Sequence, residues 1–354
     1  MIPRVSNGLP TSMLEKAGDR SLAEVGEKNL LMDYLLPMCR SVCGDHGLGD
    51  DAGILTVPAG SVVAITTDRV PSDLLARKMK LMSPFDFGAY LVRVNVSDLA
   101  ATGADPLGMV VTSAFKPIER VAYVLELMWG IYVESVRFGC PVVGGDTKAG
   151  FEESVSATAL GVAPEGKSVG RGPIKPGMYV YLSGPVGHAG VALRWFMHDK
   201  NQRPGMAEIA KARDVDHELK EYLVRPKPRA DLAKALRDSR CPCAMDITDG
   251  LGQSLLEIAK VNSVDIELNY DQLSFYPTVI QVAKTLGLNM RTVLGGIGLD
   301  LELVAIGDAP ARPDGFHVVG RVVAGNGNIR FSDGETMSIK GYEHFIQEPD
   351  KFLG

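Results

Sequence analysis

Two domains of α/β (α+β) class are what this sequence predicts. Three observations carry that expectation. The chain has 354 residues, 45% hydrophobic and 23% charged, enough to bury two cores. From about residue 48, apolar β-branched runs alternate with segments of helical period, the pattern of sheets packed against helices. Between the halves lies Gly166-Lys-Ser-Val-Gly-Arg-Gly-Pro-Ile-Lys-Pro-Gly177, whose glycines and prolines bar regular structure.

The elements follow in order. Residues 1–47 read as a lead-in, with a helix start at Ser21-Leu-Ala-Glu24 and Leu30, Leu31, Tyr34 and Leu35 at helical spacing. The span 48–165 reads as the first domain. In it, 62–67 is a strand, 85–99 a helix and 109–115 a strand. Val121, Val124, Leu125, Met128 and Tyr132 mark a long amphipathic helix, and 141–143 and 155–162 are strands. The boundary falls in the 166–177 break. The span 176–345 reads as the second domain, with strands at 178–183, 264–268, 301–306 and 317–323 and helices at 230–238 and 251–260. Residues 346–354 are a tail.

Charge and composition remove several classes. Net charge is 37 − 43 = −6, which disfavours a non-specific nucleic-acid binder. No apolar run reaches the ~18 residues of a membrane span, and the N-terminus lacks the apolar core of a secretory signal. Five cysteines with no paired CxxC set predict reduced thiols and a cytoplasmic location. Six scattered histidines and the lack of a G-x-S-x-G elbow leave metallohydrolase and serine-hydrolase chemistry unsupported. Gly161-Val-Ala-Pro-Glu-Gly166-Lys167-Ser168 fits the P-loop string. A P-loop needs a helix to start at its lysine, and the glycines and prolines that follow forbid one.

The chemical signal is a repeated pattern in which a run of small or apolar residues stops at Asp beside Gly, Ser or Thr. It occurs as Gly49-Asp50-Asp51, Thr66-Thr67-Asp68, Asn95-Val-Ser-Asp98, Gly144-Gly145-Asp146 and Asp246-Ile-Thr248-Asp249-Gly250. One such Asp is usually a helix cap or an Asx-turn. Five suggest strand ends that converge on Mg²⁺, which takes carboxylates, waters and substrate phosphates as ligands. The glycines and threonines would let backbone and hydroxyl groups approach phosphate oxygens. Separate turns and caps are the alternative reading.

The segment Val94-Asn-Val-Ser-Asp98-Leu-Ala-Ala-Thr-Gly103-Ala-Asp105-Pro106 resembles the thiamine-monophosphate kinase family of the aminoimidazole ribonucleotide synthetase superfamily. The resemblance runs from about Gly26 to Phe345, with motifs in the family's order. Gly49-Asp-Asp-Ala52, Thr66-Thr-Asp68 and Gly144-Gly-Asp-Thr147 are similar to its acidic loop, S/T-T-D strand end and GGDT. Arg171 before Lys175-Pro-Gly177, Arg225-Pro-Lys-Pro-Arg229, Asp246–Leu251 and Gly341-Tyr-Glu-His-Phe345 are similar to its later signatures. The resemblance implies a two-domain PurM-like fold: an N-terminal mixed-sheet domain that forms a homodimer and the ATP site, then a C-terminal α/β sandwich. It implies ATP with several Mg²⁺ ions and direct γ-phosphoryl transfer to a substrate phosphate, in which positioning and charge stabilisation do most of the work. Asp50, Asp51, Asp68, Asp98, Asp146, Asp246 and Asp249 would hold metal–phosphate, with Asp98, Asp146 and Asp249 central to catalysis. Thr66, Thr67, Gly145, Arg171 and Thr248 would meet the nucleotide, and Asp300, Glu302 and Tyr342 the acceptor.

Two segments depart from the family. After T-T-D it usually continues L-V-E-G-V-H-F, where this chain has Arg69-Val-Pro-Ser-Asp73-Leu-Leu-Ala76. Its G-G-E-D-Y-E-L is here Gly295-Gly-Ile-Gly-Leu-Asp300-Leu-Glu302-Leu303. Both fall where the acceptor should bind, so a paralogue with another small acceptor is the second expectation. A selenophosphate synthetase is disfavoured, because the N-terminus has no reactive Cys in a glycine-rich loop. A nucleotide-binding scaffold without turnover is the third reading; it has no need of so many metal ligands.

Overall fold

The computed structural model describes residues 8–46, 48, 50–197 and 213–340. The chain forms two compact units, Met1–Leu99 with Ala104–Glu165, and Ala100–Gly103 with Gly166–Gly354.

The first unit is built on a four-stranded sheet. Its strands are β1 (Ser61–Val70), β2 (Asp105–Phe115), β3 (Val142–Ala149) and β4 (Ser154–Pro164), in the order β1-β4-β2-β3. Only the β2–β3 pair is parallel. Two helices, α1 (Pro84–Ala101) and α2 (Val121–Arg137), complete it. They touch backbone to backbone at two glycines. A Cβ on Gly88 would stand 2.1 Å from the Leu127 carbonyl, and one on Gly130 the same distance from that of Phe85. Leu99 of α1 lies against Gly161 of β4, so α1 covers the sheet face that carries Gly161.

Strand register decides which side chains share a face, because paired residues point the same way. Thr66 pairs with Ala159 and Asp68 with Ala157, on Gly161's covered face. Thr67 pairs with Thr158 and Arg69 with Ser156, on the other face. Val63 and Ile65 lie on that open face, Ile65 being 67% exposed. The lead-in forms short helical segments over Thr11–Cys43. The backbone N–H of Ser21 donates to the Glu24 carboxylate at 2.6 Å, and Leu30, Tyr34 and Leu35 are buried.

The second unit has a six-stranded sheet. Its strands are β5 (Tyr179–Leu182), β6 (Cys243–Asp246), β7 (Val264–Leu268), β8 (Leu303–Gly307), β9 (His317–Ala324) and β10 (Ile329–Phe331), in the order β10-β7-β9-β5-β8-β6. Its main helices are α3 (His188–Met197), α4 (Arg213–Val224), α5 (Leu251–Asn262) and α6 (Pro277–Thr285). Val180, Leu255, Ile258, Ile266, Val304 and Ile306 form its core. No helix among the described residues is long and apolar enough to cross a membrane. Residues 166–168 contain no helix, so the P-loop string has no helix N-terminus to present.

One expectation fails here. The acidic motifs do not all end strands. Asp68 lies inside β1 and Asp146 inside β3, which runs to Ala149 instead of stopping at residue 143. Asp98 sits in the last turns of α1. Only Asp246 ends a strand. Glycine and threonine read as breakers along the sequence, but Gly144 and Gly145 are carried through β3 by its ladder to β2.

Candidate functional site

In the first unit the sheet edge and α1 bring three of the expected residues together. The Thr66 hydroxyl donates to the Asp98 carboxylate. Asp68 follows two residues on, on the same face of β1. Thr67 points to the open face, where its hydroxyl donates to the Ala157 carbonyl at 3.0 Å and accepts from Thr158 at 3.1 Å. Asp50 and Asp51 are exposed in the loop before β1.

Asp146 is placed elsewhere. It pairs with Thr112 on the open face, at the far edge of the sheet. Lys148, two residues on, lies 3.2 Å from it and 2.8 Å from Glu27. Gly145 makes room for a neighbouring strand: a Cβ there would meet the Val111 carbonyl at 2.1 Å. Its lack of a side chain is therefore already required by the β2–β3 contact.

In the second unit, Asp246 is buried at the end of β6, where its carbonyl accepts from Ser254 at 3.1 Å. Thr248 and Asp249 follow in the turn before α5, Asp249 being exposed. Gly250 at φ 99° closes that turn, in the left-handed region that favours glycine. Arg171 is exposed and ion-paired with Glu257 at 3.2 Å, and its carbonyl accepts from Asn262 at 2.8 Å.

The two expected acceptor carboxylates are deeply buried and engaged. Asp300 accepts the backbone N–H of Gly187 at 2.6 Å and of Ala189 at 3.0 Å, capping the start of α3. His188 Nδ1 stands 3.3 Å from it. Glu302 accepts from the Ser183 hydroxyl and from Arg229 at 2.8 Å. Burial pushes the Glu302 carboxyl up, against the opposing pull of Ser183 and Arg229. Tyr342 lies outside the described residues.

Two features were missed in the sequence. One is Arg229, the last residue of the Arg225–Arg229 segment, as the partner of Glu302. The other is a ring cluster. Tyr222 and Tyr276 stack at 5.1 Å, with His188 4.8 Å and 5.3 Å from them. Ser183-Gly-Pro-Val-Gly-His188, a turn leading into a helix, was the available signal for His188.

Metal suitability can be judged from the donors. All are carboxylate or hydroxyl oxygens, the set that a hard cation takes. Among the described residues no three His, Cys, Asp or Glu side chains gather as a ready metal cage. Mg²⁺ does not require one, since one or two carboxylates with substrate phosphates suffice. The donor chemistry fits.

Residues 49–163 match the family model "AIR synthase related protein, N-terminal domain". The chain is similar to the thiamine-monophosphate kinase of Methanospirillum hungatei, 30% identical over 318 residues, covering 88% of this chain and 98% of that protein. Among solved structures it resembles the thiamine-monophosphate kinase of Stenotrophomonas maltophilia, with TM-score 0.68 and 26% identity over 86% of this chain and 98% of that one. It also shares the fold of a chain described as AaThiL complexed with AMPPCP and TMP, with TM-score 0.69 and 23% identity over 92% of this chain and 99% of that one. The chain belongs to the thiamine-monophosphate kinase family, whose members are ATP-dependent phosphotransferases.

Proposed function

We propose that this protein transfers the γ-phosphoryl group of ATP to the phosphate of thiamine monophosphate, giving thiamine diphosphate. The observation that carries the reading is the Thr66–Asp98 contact, which joins two family motifs at one sheet edge in a family member. Asp50, Asp51, Asp68, Asp98, Asp146, Asp246 and Asp249 would hold Mg²⁺, with Thr66, Thr67, Thr248 and Arg171 beside the nucleotide. Bound Mg²⁺ would neutralise phosphate charge as it develops. The chain's own part is to fix donor and acceptor in line and exclude water, so no side chain need act as nucleophile. Tyr222 and Tyr276 offer ring faces near the acceptor carboxylates; Tyr276 is within electrostatic reach of Glu302 and Asp300. A homodimer formed through the open face of the first sheet completes the reading; the exposed Val63 and Ile65 support it.

A second acceptor remains the competing reading. It is favoured by Asp300 and Glu302, whose carboxylates already serve α3 and Arg229. Mass spectrometry after incubation with Mg²⁺-ATP and thiamine monophosphate separates the two. Thiamine diphosphate at enzymatic rates supports the first. ATP binding by thermal shift without that product favours a repurposed acceptor half.

A further inference from the structure

At the β3 edge of the first sheet one ammonium group lies between two carboxylates. Lys148 Nζ is 3.2 Å from Asp146 and 2.8 Å from Glu27, which opens the short helix Glu27–Leu30 of the lead-in. The five acidic motifs contain no Lys or Arg. Lys148 stands two residues past Asp146, so the period of a strand puts both on the open face of β3. A carboxylate of the motif set therefore already carries a cation of the chain itself.

We propose that Lys148 is a phosphate-binding residue of the kinase site: it neutralises Asp146 until Mg²⁺ takes that carboxylate, then turns to a phosphate oxygen of the nucleotide, with Glu27 keeping it within reach. The proposal rests on the kinase reading above. Three observations support it. First, the two cations compete for one group. A Mg²⁺–oxygen bond is about 2 Å long, so an ion on Asp146 would stand close to an ammonium on the same carboxylate, and like charges at that range repel even in water. Second, Lys148 is free to leave. Its side chain and that of Asp146 are 57% and 58% exposed, and an exposed ion pair on a long flexible stem is weak. Third, the metal arrives with the anion that a lysine binds as a point charge. The surroundings suit such an anion. Thr112 and Ser156 share a register row with Asp146 on the open face, their hydroxyls 2.7 Å apart. Glu27 lies outside every acidic motif and holds the ammonium when Asp146 is given up.

Two titrations of the full chain test this. Isothermal titration calorimetry reads Mg²⁺-ATP, and electron paramagnetic resonance reads Mn²⁺ added without nucleotide. Lys148→Met should bind Mg²⁺-ATP about tenfold more weakly, the scale of one charge-assisted hydrogen bond to phosphate. It should bind Mn²⁺ alone about two- to fivefold more tightly, because a competing exposed ion pair is gone. A merely structural lysine would not move the two affinities in opposite directions. Lys148→Arg keeps the charge and should restore most of the nucleotide affinity. Glu27→Gln leaves the ammonium wholly to Asp146 and should weaken Mn²⁺ binding. In the Lys148→Met background it should have no effect, since Glu27 acts through that ammonium. An unchanged Mg²⁺-ATP affinity in Lys148→Met would overturn the phosphate contact. Unchanged or weaker Mn²⁺ binding in that variant would overturn the exchange at Asp146. Both titrations run without acceptor. A wild type that binds Mg²⁺-ATP but makes no thiamine diphosphate would therefore sink the thiamine reading alone, whereas one that does not bind Mg²⁺-ATP would remove both.

Discussion

The acidic motifs of the first unit and the acceptor segment of the second place their carboxylates in opposite settings. In the first, Asp50, Asp51 and Asp146 are exposed, and Asp98 and Asp68 are only partly covered at a sheet edge. In the second, Asp300 and Glu302 are 3% and 5% exposed and bound to the fold's own donors. A buried carboxylate must be paired, because leaving it without donors costs several kcal/mol. An exposed one keeps its water and stays available to an ion. The comparison teaches that carboxylates of one motif set divide into those that can serve a ligand and those that first serve the fold.

The largest effect expected from breaking this contrast is catalytic. Asp98→Asn should lower kcat by at least about 10²–10³-fold, the scale of losing one preorganised electrostatic group. Its melting temperature should stay within a few degrees of wild type, as steady-state kinetics and calorimetry would check. Glu302→Ala should do the reverse, leaving the half-buried Arg229 without its buried carboxylate partner and destabilising by on the order of 1–2 kcal/mol. Urea unfolding reads that loss. An unchanged midpoint would mean that Asp231, also paired with Arg229 at 3.1 Å, suffices.

Asp300→Ala should cost about 1–2 kcal/mol, since two N–H groups at the start of α3 lose their acceptor. If Asp300 also binds the acceptor, its KM will rise while that for ATP does not. Lys148→Met tests the exposed side of the contrast. Both of its ion pairs are solvent-exposed, so stability should change by less than about 0.5 kcal/mol. The smallest effect concerns pH. Burial holds the His317 imidazole below its ordinary value, against a backbone hydrogen bond at Leu182. Below about pH 6.5 the unfolded chain takes up that proton first, so stability should fall as pH falls. His317→Gln should flatten that part of the stability profile.

Much of the fold was legible because its signals are local. The β-branched run 62–67 falls in β1, and the apolar stripe from Val121 to Tyr132 is buried along α2. The family motifs named residues that do sit at one edge, Thr66 and Asp98. What failed was the rule that such motifs end strands. Asp98 is helical because Phe85–Leu99 buries a continuous apolar face, which overrides the Ser-Asp pair. Asp146 is mid-strand because Gly144 and Gly145 are held by β2, a partner some 30 residues away in sequence.

The sequence by itself determined the class of the protein, its family and the oxygen-rich donor set, since composition and motif spacing are properties of one strand or one turn. Tertiary structure alone decided which donors meet. Sheet order β1-β4-β2-β3 set Asp146 at the opposite edge from Asp68, and the hydrogen bonds from Gly187 and Ala189, more than 110 residues away in sequence, turned Asp300 into a cap of α3. Those outcomes depend on strand order and register. Register is chosen by hydrophobic faces packing across long stretches of chain, which no local run of residues encodes.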